Sequence, residues 1–193
     1  MTMVRTVAPT VLAVDLALIK KNMVIDGDYM DDVVTEWTRG VIASLEHQIG
    51  QCLMEQTWRV TLPAFSSSVL LPHPAMNIVS VKYIDLAGEE RTMAANEYRL
   101  EIEAYRSILR PARGAGWPGT YVDTFADPED PPPSVFVEVK CGHGSTPDKT
   151  PESAQVFILG KLVEQYDPKT RLERDTVQSI YLDQLIDDLR TYA

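Results

Sequence analysis

Cysteine is scarce in this chain of 193 residues: there are two, Cys52 and Cys141. They stand far apart and form no ligand or disulfide pattern able to staple a loop-rich secreted fold, so both read as free buried thiols. Histidine is nearly as rare, with His47, His73 and His143 scattered so that no triad is legible, and no Gly-x-Ser-x-Gly elbow is present. No run approaches the roughly 18 consecutive apolar residues that span a bilayer. The opening Met1 to Leu16 has too short an apolar run for a signal peptide, and the chain reads as soluble and non-secreted, with no membrane partner. Basic residues are the minority, 18 Lys and Arg against 28 Asp and Glu, a net charge of −10. No window concentrates them, which argues against a surface that grips nucleic-acid phosphates.

What is present is ordinary globular material, 45% hydrophobic and 24% charged. A folded chain of this size buries roughly 70% of its unfolded surface. Acidic residues cluster at Asp26, Asp28, Asp31, Asp32 and Glu36, and again at Asp123, Asp127, Glu129 and Asp130. Solvated faces explain both groups.

Asp15 is placed to cap a short helix with Leu16, Ile19 and Met23 on one side, and Asp26-Gly27-Asp28 supplies turn chemistry. From Asp28 as N-cap, Met30, Val33, Val34, Trp37, Val41, Leu45 and Ile49 step by three and four, predicting a long helix that Gly50 ends. Burying each such side chain stabilises by roughly 1.5–3 kcal/mol, so this stripe must meet other elements. The period then becomes two-fold. Strands are predicted at 56–62, 69–71, 78–86, 89–93, 98–102 and 107–110, with Ala87-Gly88 as a hairpin turn, giving an antiparallel middle. Six of the thirteen prolines fall between Pro111 and Pro133, a density no regular element tolerates, so this is a long loop. Val135, Val137 and Val139 resume alternation up to Cys141. A helix from about Pro151 carries Val156, Leu159, Val163 and Tyr166 and ends at Asp167-Pro168. A last helix from about Asp175 carries Val177, Tyr181, Leu185 and Leu189, its apolar face widened by Ile180, Leu182 and Ile186.

The order predicts an α+β fold: a helical bundle built from N- and C-terminal helices with an inserted antiparallel β region. The chain reads as one domain, 1–193. It has N-terminal helices within 15–50, a β insertion over 56–141 carrying the proline-rich loop 111–134, and C-terminal helices within 151–193.

Motifs of chemistry fail on inspection. Gly114-Ala115-Gly116-Trp117-Pro118-Gly119 spells G-x-G-x-x-G, but Pro118 and the prolines beyond forbid the helix that would hold a pyrophosphate. A calcium loop over the early aspartates would place Trp37 where a bidentate Glu is needed. Cys141 and His143 could join zinc only if Cys52 and His73 or His47 converged on them. Glu101 and Glu103 alternate onto one face of an exposed strand, where solubility explains them. No cofactor, metal site or catalytic residue is assigned.

Three segments together resemble the phage head-tail connector family, the adaptor or head-completion proteins that join portal to tail. The first runs from Leu16 to Leu62: short helix, Asp-Gly-Asp turn, long helix ending Gly50-Gln51-Cys52-Leu53, and the strand Gln56-Thr57-Trp58-Arg59-Val60-Thr61-Leu62. The second holds Leu70-Leu71-Pro72-His73-Pro74, Ile78 to Asp85, a Gly88-Glu89 hairpin, Tyr98-Arg99-Leu100, Trp117-Pro118 and the Val-rich strand into Cys141-Gly142-His143-Gly144. The third is the closing helix pair, ending Gln184 to Tyr192. The stretch from Gly119 to Ser134 is longer and richer in proline than this resemblance would lead one to expect.

The resemblance implies a structural protein without catalysis, a dodecameric ring beneath the portal with double-stranded DNA passing unbound through its lumen. Its partners would be the portal, a tail-side stopper or tail-completion protein, and further copies of itself. Its place would be the virion's head-tail interface, and the host cytoplasm during assembly. An acidic wall then suits a channel along which DNA must slide. The wide apolar face of the final helix is the expected docking element, through Tyr181, Leu182, Leu185, Ile186, Leu189, Arg190 and Tyr192. Rival readings are a stopper or other completion protein, and a small-ligand enzyme with its site beside the proline-rich loop.

Overall fold

Asp15 acts as its position predicts: its Oδ1 accepts the Ala17 N–H at 2.8 Å, and helix α1 (Leu16–Met23) follows, burying Ile19 and Met23. The computed structural model describes residues 1–123, 127, 129, 131–166, 182 and 184–191. Within these the fold is α+β and sheet-rich, with three α-helices and antiparallel sheets. Two compact units are present: Met1–Ala8 with Gln56–Gly142, and Pro9–Glu55 with His143–Ala193. No helix among the described residues is long and apolar enough to cross a membrane.

In the helical unit, α2 (Asp31–Ile49) starts later than the sequence suggests. Asp28 is not its N-cap. That position belongs to Met30, without a side-chain hydrogen bond, while the Asp28 carbonyl accepts from the Asp31 N–H at 3.1 Å. Asp31 and Asp32 occupy the first turn, where the helix dipole favours negative charge, and Asp31 also pairs with Lys20 at 2.6 Å. The buried face is Val34, Thr38, Ile42, Leu45 and Ile49, with Val33 turned to solvent. Of the stripe read from sequence, Val34, Leu45 and Ile49 are buried and Met30, Trp37 and Val41 pack against the same cluster, so Val33 alone departs from it while Thr38 and Ile42 are added. Thr38 joins the core because its hydroxyl donates to the Val34 carbonyl at 2.7 Å and leaves no polar atom unpaired.

Helix α3 (Glu152–Tyr166) offers two apolar stripes, and of the one read from sequence only Leu159 packs against the core. Ala154, Phe157, Ile158 and Leu162 are buried, while Val156, Val163 and Tyr166 of the expected stripe are exposed. All three helices feed one apolar cluster, to which Leu53 and Met54 add their side chains.

The other unit is built on β2 (Gln56–Leu62) and β8 (Val135–Cys141), paired antiparallel with Val60 opposite Val137. Val135, Val137, Val139 and Cys141 alternate inward, as a half-buried strand requires. β1 (Thr2–Val7), which periodicity does not reveal, adds to β2. β4 (Ala75–Ile84) and β5 (Glu90–Thr92) extend the other side, giving the order β1-β2-β8-β4-β5. β3 (Val69–Leu71), β6 (Tyr98–Ile102) and β7 (Ser107–Pro111) form a second sheet, ordered β3-β7-β6. Val69, Leu71 and Leu109 of this sheet share one apolar cluster with Val60, Val81, Val137 and Val139 of the first.

The β4–β5 hairpin is closed by Asp85, whose carboxylate accepts from the Ala87 and Glu89 N–H groups and from Arg91 Nε at 2.9 Å. The Arg91 hydrogen bond, with help from Glu89, holds the Asp85 carboxyl below its ordinary value. Proline-rich as it is, the 111–134 connection is anchored in its described part. Trp117 stacks on Phe65 with centroids 4.4 Å apart, and the Tyr121 N–H reaches the Ile84 carbonyl at 2.9 Å.

Candidate functional site

Of the docking residues expected at the C-terminus, Tyr181 and Tyr192 lie outside the described residues, as do Val177 and Ile180. Beyond Gln184 the chain leaves α-helix. Leu185 and Ile186 form a turn, and Asp187–Leu189 make a single 3-10 turn. Leu182 and Ile186 are buried in the helical unit's cluster, and Leu185 and Leu189 pack against it while staying partly exposed. Leu182 lies so close to Gly160 of α3 that a Cβ there would meet its Cδ2 at 2.7 Å.

Polar contacts fix this tail to the end of α2. The Thr191 N–H and hydroxyl both donate to the Ile49 carbonyl, at 2.8 and 2.9 Å, satisfying a group the helix end would leave orphaned. Gln51 Nε2 donates to the Leu189 carbonyl at 2.5 Å, while its Oε1 lies 3.2 Å from His143 Nε2. Arg190 pairs with Asp187 at 2.9 Å. What faces outward is a strip of Leu185, Leu189 and Arg190 beside the exposed Gln184, Asp187 and Asp188. Among the described residues it holds no nucleophile paired to a base.

The remaining sequence motifs resolve into structure. No group of three or more His, Cys, Asp or Glu among the described residues could hold a metal ion. Cys141 Sγ sits 3.8 Å from the Gln56 carbonyl. His73 Nδ1 lies 3.0 Å from Ser107 Oγ, which accepts the Ala75 N–H at 2.8 Å, and burial pushes the His73 pKa down. With Ser107 fully buried, this pair organises the start of β4 and offers no accessible nucleophile. Glu101 bridges Arg99 and Arg110, and Glu103 pairs with Arg106.

Two exposed features escape sequence reasoning. On the α1–α2 turn, Val24 is 86% exposed and Tyr29 74%. Val24 adopts a left-handed conformation (φ 56°) that costs an L-residue about 1–2 kcal/mol. At the β6–β7 hairpin, closed by the Glu103 N–H to Arg106 carbonyl bond at 2.9 Å, Ile102 is 56% exposed and Tyr105 52%. Val24, Tyr29 and Tyr105 lie in polar turns and carry no periodic signal, and Ile102 reads as the last residue of its strand, so nothing in the sequence pattern marks them as exposed.

No protein-family model matches this chain. No curated protein matches it either. Among solved structures the fold recurs end to end. A chain from the neck of an empty gene transfer agent (GTA) particle, computed with C6 symmetry, matches with a TM-score of 0.79 at 19% identity, covering 100% of this chain and 97% of that one. A chain from the virion of a native GTA particle gives 0.77 at 20% identity, and one from the native GTA neck computed with C12 symmetry gives 0.74 at 22%, with the same coverage.

Proposed function

We propose that this chain is a structural subunit of a phage-like particle's neck, an adaptor that forms a ring beneath the portal and joins the DNA-filled head to the tail. The observation that carries this reading is the end-to-end fold match to chains of GTA neck and virion particles. Neighbours described with C6 and C12 symmetry favour a ring, and twelve copies is the number proposed here. The portal on one side, a stopper or tail-completion protein on the other, and further copies of itself are the partners. Double-stranded DNA passes through the lumen without specific binding. The virion is its destination, after assembly in the host cytoplasm.

In this reading the N- and C-terminal helices form the bundle that seats on the portal, and the tail strip of Leu185, Leu189 and Arg190 makes part of that contact. Leu182 and Ile186, buried within the subunit, hold the strip in place. Tyr181 and Tyr192 complete the proposed docking set. The role is structural and non-enzymatic.

Electron microscopy of particles from a strain encoding this chain tests the reading directly. Rings of this protein between portal and tail are expected, and deletion of its gene should leave DNA-filled heads that leak or fail to join tails. A single copy per particle, or normal tailed particles after deletion, would overturn it.

A further inference from the structure

We draw no further inference here: the strongest candidate, the exposed apolar stripe of Val156, Val163 and Tyr166 along α3, carries none because nothing in the structure shows what covers it.

Discussion

Gly50 is where a single methyl group has the clearest consequence. Its φ of 69° lies in the left-handed region, and a Cβ would run into Thr191 Oγ1 of the tail that caps α2. Gly50→Ala should lose about 1–2 kcal/mol in urea unfolding. Gly40, in the middle of α2 and exposed, has nothing within 4 Å of the place a methyl would take, so Gly40→Ala should gain about 0.5–1 kcal/mol from helix propensity. Opposite signs from the same substitution in one helix and its cap separate backbone strain from propensity. His73 provides a second test. Burial lowers its folded pKa below the ordinary 6.5, so the folded state holds the neutral ring and binds fewer protons than the unfolded chain. Its contribution is complete above pH 6.5 and is lost as pH falls through the unfolded and then the folded pKa. Urea midpoints for the parent should fall from about pH 7.5 to about pH 5, and His73→Gln, which cannot titrate, should show a shallower fall. Parallel curves would mean that His73 is not the group responsible.

At the scale of elements, legibility follows the strength of the local signal. α1 is readable because Asp15 caps it, β2 and β6 because polar and apolar residues alternate, β8 because Val135, Val137, Val139 and Cys141 recur at every second place, and β3 because Val69-Leu70-Leu71 is a short apolar run bounded by turn residues. β1 is not, since Thr2–Val7 is an edge strand with five of six residues exposed, and an edge need not alternate. The face of α2 is legible except for Thr38, which is polar by type but apolar in effect once its hydroxyl bonds to the backbone. The C-terminal strip is legible as apolar residues at helical spacing, but spacing does not separate a core face from a docking face. Burial of Ile186 makes that distinction, and it changes the useful experiment. Deleting Leu185 to Ala193 would remove Ile186 from the core and Thr191 from the end of α2, costing about 2–5 kcal/mol and confusing folding with docking. Leu185→Ser with Arg190→Ala leaves Ile186 in place. We expect circular dichroism like the parent's and reduced co-sedimentation with portal particles. Undiminished co-sedimentation would remove the strip from the portal contact.

Across the whole molecule, charge is unevenly divided. The unit of residues 1–8 and 56–142 holds nine basic and eleven acidic residues, the unit of 9–55 and 143–193 nine and seventeen, so their net charges are −2 and −8. Acidity thus belongs mainly to the helical unit. This bears on DNA, which carries one negative charge per about 1.7 Å of axis and is gripped by proteins that neutralise its phosphates and release counterions. The arginines of the β6–β7 hairpin are mostly committed to Glu101 and Glu103. In the proposed ring, a wall in which acidic residues outnumber basic ones would let a duplex slide rather than hold it. The isolated protein should therefore bind duplex DNA no better than about 10⁻⁴ M at physiological salt, the weak end of non-specific association. A fluorescence anisotropy titration at two salt concentrations decides the matter. Affinity that is tight at low salt and falls steeply as salt rises would reveal a basic track, and the sliding-channel account would have to be abandoned.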